Sequence, residues 1–306
     1  MGKIILKIGT RTSKLAIKQT RFFIKALDKA GLGGAFKCQI VPIKTSGDDR
    51  LEGAIPEKFG VKGLFTNELH LALQDGRIDC AVHSVKDLPC EKSPGIEIVS
   101  VLKRCTAHDG FFSNTYKNLN SVPSGGKIGT SSIRRKMFLQ KIRPDLEIIP
   151  LRGNVNSRIE KMKNLNIDGI ILSYCAIKRM KYFRHIKYSH KICDSNFPPA
   201  IGQGIIGIET LDNASEIIKK AIQKTCHKTS FFEANIERKF AAMLDSSCQT
   251  PISCNAKKMQ NSQVKIKIGF VNTTTFDSIF TEKICNIHSA DQAILDLVNY
   301  VKKIKT

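Results

Sequence analysis

Strand-like and helix-like segments alternate over the first 175 residues, and this alternation restricts the possible folds more than any other feature of the chain. The predicted strands are Ile4–Ile8, Lys37–Ile43, Asp79–Ser84, Glu97–Leu102, Lys127–Gly129, Glu147–Leu151 and Gly169–Ser173. The predicted helices are Lys14–Ala30, Leu64–Asp75, Ser131–Ile142 and Val155–Leu165. Such alternation is typical of α/β layers with mostly parallel sheets. Because a break at residues 103–108 divides the strands, we predict two α/β lobes.

The last part of the chain follows a different pattern, which predicts a smaller C-terminal α+β domain. Two helices are expected, at Ser215–His227 and Ser230–Leu244, followed by the alternating strand Val264–Phe270. A strand at Phe280–Ile287 and an amphipathic helix at Ala290–Lys303 complete this domain.

Two polar or glycine-rich segments need separate interpretation. Asp48–Lys62 is a long polar connection in the first lobe, and we predict that it is a mobile lid. Gly202–Gly207 matches the dinucleotide-binding pattern GxGxxG, which should follow a strand and open a helix. Here a Pro-Pro segment precedes it and a strand-like run follows, so the motif does not predict a dinucleotide site.

The chain carries 49 basic and 27 acidic residues, a formal charge of +22. Such an excess can indicate a nucleic-acid partner. However, most of the bases are Lys and they are spread along the whole chain, which favours compositional drift, so we predict no nucleic-acid partner. The ten cysteines form no CxxC pair, and no secretion signal or membrane span is evident. We therefore expect a cytoplasmic protein without a metal site or a membrane partner.

The scarce arginines cluster at three strand-to-helix junctions. These are Gly9–Ser13, Gly129–Arg135 and Arg152–Arg158, and each combines Gly or hydroxyl side chains with one or two arginines. Helix N-termini present free N–H groups, and guanidinium adds a fork of donors for carboxylates or phosphates. Ordinary N-capping explains the hydroxyls but not the arginines. The pattern therefore predicts an anion-binding cleft.

Two further side chains are candidates for chemistry. Asp87 follows the strand 79–84, at the carboxyl end where open α/β sheets bind ligands, so it can act as a carboxylate in the ligand site. A surface ion pair with Lys86 is an equal alternative. Cys248 lies in a polar turn, so it is either a nucleophile or attachment point, or a plain surface thiol. His83, at the end of the same strand as Asp87, is interpreted as a structural hydrogen-bonding residue.

Five motifs occur together in one order along the chain: Ala81–Pro89, Gly129–Arg135, Leu151–Val155, Pro199–Gly204 and Cys248–Ile252. In this order and content the sequence resembles the porphobilinogen deaminase, or hydroxymethylbilane synthase, family. The resemblance extends from about Ile8 to Ile252, and the remaining residues resemble the family only in general character.

The resemblance implies a transferase of haem and tetrapyrrole biosynthesis. Members of the family join four porphobilinogen molecules head to tail, release ammonia at each step, and free hydroxymethylbilane by hydrolysis. They extend a covalent dipyrromethane cofactor, and the motif places its attachment on Cys248. The family fold implies two lobes that resemble type II periplasmic binding proteins, at residues 1–103 with 201–222 and at 108–198, and a third domain at 226–306. Family members look monomeric.

The resemblance also assigns roles to individual residues. Asp87 falls on the position of the catalytic aspartate. The positions that bind the cofactor fall on Lys86, Asp87, Thr130, Ser132, Arg134, Arg135 and Arg158. The positions that line the substrate site fall on Arg11, Ser13, Arg152, Arg158, Arg179 and Gln203.

The chain departs from the family pattern in two places. Ser246 and Ser247 stand where Gly-Gly usually precedes the attachment cysteine, and Thr106–Asp109 replaces Asp-Pro-Arg-Asp after the first lobe. These changes affect the expected turn and hinge, but they remove no chemical group that the reaction requires. A non-catalytic two-lobed protein that binds polycarboxylates is the alternative, since it would need the arginines but neither Asp87 nor an accessible Cys248.

Overall fold

The computed structural model describes residues 2–51, 63–193, 195–244 and 250–305. The chain divides into two compact units, each built from separate stretches of sequence. The first unit is Met1–Cys105 with Ile205–Phe232, and the second is Thr106–Gly204 with Glu233–Thr306. Within the described ranges, no helix has both the length and the apolar character needed to cross a membrane. The three domain boundaries predicted from the sequence stay a prediction.

Strands and helices alternate as predicted, with small shifts at the ends of the elements. The strands are β1 (Ile4–Arg11), β2 (Phe36–Ile43), β3 (Cys80–Ser84), β4 (Ile96–Val101), β5 (Asp109–Ser113), β6 (Lys127–Gly129), β7 (Glu147–Ile149), β8 (Gly169–Ser173), β9 (Tyr188–Lys191), β10 (Ile206–Leu211), β11 (Ile252–Lys258), β12 (Gln263–Val271) and β13 (Ser278–Asn286). The helices are α1 (Lys14–Lys29), α2 (Ser46–Leu51), α3 (Asn67–Gln74), α4 (Ile133–Ile142), α5 (Val155–Asn164), α6 (Tyr174–Met180), α7 (Glu216–Gln223), α8 (Lys228–Ala242) and α9 (Ala290–Lys305). The sequence pattern does not predict β5, β9 or β11.

The two α/β lobes share one strand order. The first sheet is ordered β2-β1-β3-β10-β4 and the second β7-β6-β8-β5-β9. In each sheet, the first three strands run parallel to one another. The fourth strand, β10 or β5, is antiparallel and begins shortly after the chain passes from one unit to the other. The expectation of mostly parallel sheets is confirmed for strand direction, because four of the five strands in each sheet run the same way, while the inserted strand makes two of the four pairings antiparallel. The predicted class, two α/β lobes with a smaller C-terminal α+β domain, is confirmed.

Each lobe buries apolar side chains on both faces of its sheet. In the first lobe, Cys80 and Val82 join a core with Phe23 of α1, whereas Ala81 points to the opposite core with Leu69 of α3. The second lobe repeats this alternation at Phe111 and Phe112, which belong to different cores. Because successive strand residues face opposite sides of a sheet, such two-sided burial requires continuous apolar runs like those in the sequence.

The C-terminal domain is an antiparallel sheet, ordered β11-β12-β13, on which α9 packs. Val271 and Phe280 of this sheet join the core of the second lobe around Phe138, whose ring meets the Phe280 ring edge-to-face. The C-terminal sheet and the second lobe therefore share apolar contacts within the second unit.

Candidate functional site

The first unit contains an open pocket at the carboxyl ends of its parallel strands. β1 and β3 run parallel, so Arg11 at the end of β1 and Ser84 at the end of β3 lie at the same edge of the sheet. A short 3₁₀ turn, Val85–Asp87, follows β3. The pocket is open to solvent, and its lining includes Arg11, Ser13, Gln19, Phe65, Ser84 and Asp87. The structure thus brings together Arg11, Ser13 and Asp87, three of the predicted site residues.

Ser13 and Gln19 have defined roles in building this pocket. Ser13 is the N-cap of α1, and its Oγ accepts the Ala16 N–H at 3.2 Å. Gln19 lies one and a half turns further along α1, and its Nε2 donates to Ser84 Oγ at 2.8 Å. The helix is thereby tied to the end of the strand that carries Asp87. Sequence reasoning missed Gln19, whose position on the buried face of α1 was the available signal.

Arg11 is held by two carboxylates and an aromatic ring. Its Nη2 donates to Asp48 Oδ1 at 2.5 Å, and its Nη1 lies 3.9 Å from Asp87 Oδ2. Its guanidinium carbon lies 4.1 Å from the centre of the Phe65 ring. Burial opposes ionisation of Asp48, but bonds from Arg11 and Thr45 hold the pKa of this carboxyl below its usual value. The pocket lining therefore contains one guanidinium and one carboxylate, Asp87, while Asp48 holds Arg11 from outside the lining. Lys86 adjoins Asp87 in the turn Val85–Asp87.

A buried carboxylate lies behind the pocket wall. Glu209 of β10 places Oε2 at 2.9 Å from His70 Nε2 and at 3.2 Å from His83 Nε2. Burial opposes its charge, but the two imidazoles hold the pKa of Glu209 well below its usual value. These three residues also form the group, among those described, whose spacing could hold a metal ion. His70 has hydrogen-bond geometry to this oxygen, whereas His83 Nε2 lies at ion-pair distance from it without hydrogen-bond geometry. The interpretation of His83 as a structural hydrogen-bonding residue therefore stays a prediction.

We expect Glu209→Gln to destabilise the first unit in a pH-dependent way. The folded-state pKa is depressed, so the stabilisation is present above the unfolded value of about 4.3 and is lost as the pH falls below it. At pH 7 the free energy of unfolding should fall by roughly 1–3 kcal/mol. Denaturant unfolding at pH 7 and at pH 3 checks this, with Glu97→Gln, which removes an exposed carboxylate paired with the half-buried Lys219, as the matched control. An equal loss at both pH values would contradict the assignment.

The second unit gathers predicted site residues at the carboxyl edge of β6, β7 and β8. Thr130 follows β6 and is buried, and its Oγ1 accepts the Ser132 N–H at 3.2 Å. Ser132 is the N-cap of α4, which places Arg134 and Arg135 in the first turn of that helix. Asp109, the first residue of the antiparallel strand β5, pairs with Ser173 and so lies at the same edge.

Asp109 binds both arginines in the protein interior. Arg134 donates through Nη2 to Oδ2 at 2.5 Å, and Arg135 donates through Nε and Nη2 to Oδ1 at 3.0 and 2.7 Å. Gln203 is fully buried and donates to the same Oδ1 at 3.1 Å. Burial alone would raise the pKa of Asp109, but the two guanidinium groups hold it well below its usual value. Sequence reasoning missed this aspartate as a site residue, because the strand β5 that it begins was not predicted.

Arg158 adds a third guanidinium group to this region. Its Nε donates to the Gly153 carbonyl at 2.7 Å, in a turn that requires glycine because Gly153 has a φ of 117°. Burial, and then the charge of Arg135, lower the pKa of Arg158 to about 10. Among the described residues, Asp109 pairs with Arg134 and Arg135, whereas Arg158 bonds to the Gly153 carbonyl. This local excess of positive charge is suited to anionic ligands.

The remaining predicted residues have different surroundings. Arg179 of α6 donates to the Gly204 carbonyl at 2.8 Å, and the Arg152 carbonyl accepts the Lys161 ammonium at 3.2 Å. Cys248, Ser246 and Ser247 lie outside the described residues, as does most of the predicted lid Asp48–Lys62. Arg11 belongs to the first unit and the other two arginine junctions to the second, so their meeting in one cleft stays a prediction.

The chain is similar in sequence to proteins of one family. A family model described as "Porphobilinogen deaminase, dipyromethane cofactor binding domain" matches residues 6–219. A porphobilinogen deaminase of Rickettsia prowazekii is 39% identical over 295 residues, which cover 93% of this chain and 96% of that protein. A second one, of Campylobacter lari, is 40% identical over 252 residues, covering 82% and 80% of the two chains. Among solved structures, a TRAP periplasmic solute binding protein from Desulfovibrio salexigens aligns with a TM-score of 0.47 at 11% identity, covering 75% of this chain and 74% of that one.

Proposed function

The chain belongs to the porphobilinogen deaminase family, and from that premise we propose that Asp87 is its catalytic carboxylate and that Cys248 carries its cofactor. As a hydroxymethylbilane synthase, it is a transferase that converts four porphobilinogen molecules and one water into hydroxymethylbilane and four ammonia molecules. The charges in the two units support the roles that we propose for individual described residues.

The observation that carries the assignment is the excess of guanidinium groups in the second unit. Each porphobilinogen unit bears an acetate and a propionate, so a dipyrromethane brings four carboxylates. Carboxylates that leave water need preorganised donors to replace their hydration. Arg135 and Arg158 repel each other, and a bound carboxylate would relieve this repulsion. The residues present in the second unit therefore fit such a group, and Thr130, Ser132, Arg134, Arg135 and Arg158 form its proposed binding set. Contacts of Lys86 and Asp87 with the cofactor stay a prediction from the family resemblance.

The first unit has a carboxylate, Asp87, in its pocket, and this charge fits the departure of ammonia. Loss of ammonia from porphobilinogen leaves a positively charged pyrrole methylene group. Asp87 lies in the open pocket with about 30% of its side chain exposed, so it can approach a bound substrate. A fixed carboxylate stabilises this cation more than the neutral reactant and so lowers the barrier. Arg11 and Ser13, which line the same pocket, are placed to bind the substrate carboxylates.

A dipyrromethane bound at Cys248 would supply the free pyrrole position to which substrate is joined. Attachment through one thiol makes the acceptor part of the protein, so proximity provides part of the rate acceleration. Arg152, Arg179 and Gln203 complete the proposed substrate set. The monomeric state and the cytoplasmic location expected from the sequence remain predictions, which sedimentation and cell fractionation would check.

Turnover of porphobilinogen by the purified protein tests this function. We expect one linear tetrapyrrole for every four ammonia molecules released. Binding of porphobilinogen without release of ammonia would instead support a non-catalytic polycarboxylate-binding protein.

Arg158→Gln should weaken substrate or cofactor binding without unfolding the second unit. Loss of a charged hydrogen bond to a carboxylate is expected to raise the apparent KM about tenfold or more. The matched control is Arg184→Gln, which changes an exposed arginine of the same unit whose Nε contacts His185. Steady-state kinetics of both variants provide the measurement, and an unchanged KM together with intact cofactor loading for Arg158→Gln would remove Arg158 from the binding set.

A further inference from the structure

Asp48 fixes the orientation of Arg11 from outside the pocket lining. It contacts Arg11 at two points, from Nη2 to Oδ1 at 2.5 Å and from Nε to Oδ2 at 3.5 Å. Asp48 is itself held by Thr45, whose Oγ1 donates to Oδ2 at 2.9 Å. Asp48 is only 8% exposed. Arg11 belongs to the described lining of the pocket, whereas Asp48 does not. Any effect of Asp48 on a bound substrate must therefore pass through Arg11.

The two-point contact decides which nitrogen of Arg11 faces the pocket. With Nε and Nη2 directed to Asp48, the remaining nitrogen, Nη1, is directed towards Asp87 at 3.9 Å. This distance is longer than a hydrogen bond, so Asp87 is close to a positive charge without being directly bonded to it. The Phe65 ring supports one face of the guanidinium and restricts its movement further.

Among the described residues, Asp87 is the other carboxylate that lies within 4 Å of Arg11, and Arg11 can turn to it if the charge of Asp48 is removed. Arginine has many rotamers and a strong preference for two-point pairing with a carboxylate. A released Arg11 would close on Asp87, and the resulting pair would occupy both the substrate-binding guanidinium and the carboxylate that stabilises the cation. On the basis of the proposed function, we propose that Asp48 is a positioning residue that keeps Arg11 available to substrate carboxylates and keeps Asp87 free of a direct ion pair.

A double-mutant cycle tests this role. Asp48→Asn keeps the shape of the side chain but removes its charge, and we expect kcat/KM to fall roughly tenfold. In an Arg11→Gln background the same substitution should cause almost no further loss, because Asp48 acts through Arg11. If the losses of kcat/KM in the two single variants multiply in the double variant, the inference is overturned, because a general structural role of Asp48 does not depend on Arg11. A lower KM with unchanged kcat would also overturn it and would make Asp48 a competitor of the substrate carboxylate.

A second substitution keeps the test decisive if Asp48→Asn does not fold. Thr45→Val removes the hydroxyl that donates to Asp48 and should cause a smaller loss of kcat/KM, which also disappears in the Arg11→Gln background. Retention of that loss in the Arg11→Gln background would overturn the inference. A wild-type protein without turnover would overturn the proposed function and this inference with it. If the wild type is active but the Asp48 and Arg11 substitutions lower kcat/KM independently of each other, the inference is overturned and the proposed function is not.

Discussion

Replacing Asp87 with Asn is expected to lower kcat roughly a thousandfold while the KM for porphobilinogen stays close to that of the wild type. Asn has the size of Asp but cannot stabilise a positive charge by its own charge. The substitution should therefore remove an interaction that is strongest when ammonia leaves, and leave ground-state binding by Arg11 and Ser13 in place. Steady-state kinetics with porphobilinogen provide the measurement.

Two controls make this result interpretable. Asp75→Asn removes an exposed carboxylate of the same unit, which pairs at the surface with Arg77, and should leave kcat unchanged. The mass of the Asp87→Asn protein establishes whether it carries the cofactor. A cofactor-loaded Asn variant with a kcat close to that of the wild type would show that Asp87 does not stabilise the reacting charge.

Replacing Cys248 with Ala should abolish both the covalent cofactor and turnover. The thiol would be the attachment point, and without it each condensation becomes a reaction between free molecules. The loss of proximity alone can amount to a factor of about 10⁵ or more in effective concentration. We therefore expect no detectable formation of linear tetrapyrrole by the Ala variant.

Cys193→Ala is the matched control, because Cys193 is an exposed free thiol of the second unit. It should keep both the added mass and the activity. If the Cys248→Ala protein still carries the added mass, another cysteine is the attachment point. If it turns over porphobilinogen without any added mass, the reaction does not need a covalent cofactor.

The sequence predicts local structure best where the signal is local. Three predicted helices begin where the sequence indicates, because the N-cap side chain of each accepts a backbone N–H in the first turn. These N-caps are Ser13, Ser132 and Asn154. Strand β5, Asp109–Ser113, is not predicted, because it directly follows the segment that was interpreted as the break between the two lobes. Its pairing partners also lie far along the chain, in β8 and β9.

The same division applies to the candidate site. Arg11, Ser13 and Asp87 are predicted from motifs at strand ends, and the parallel pairing of β1 and β3 places them in one pocket. The carboxylates Asp48 and Asp109 are missed as site residues because their importance lies in tertiary contacts with arginines. In the sequence, an aspartate that binds a buried guanidinium has the same appearance as one on the surface.

The mass of the intact protein, before and after a limiting amount of porphobilinogen, tests the central claim most directly. We predict that the purified wild type carries an added mass equal to two linked pyrrole units. After addition of substrate, further species should appear, separated by one porphobilinogen less one ammonia, and the Cys248→Ala protein should show none of them. An unmodified wild-type mass that stays unmodified after incubation with porphobilinogen would contradict the assignment of a cofactor-dependent polymerising enzyme.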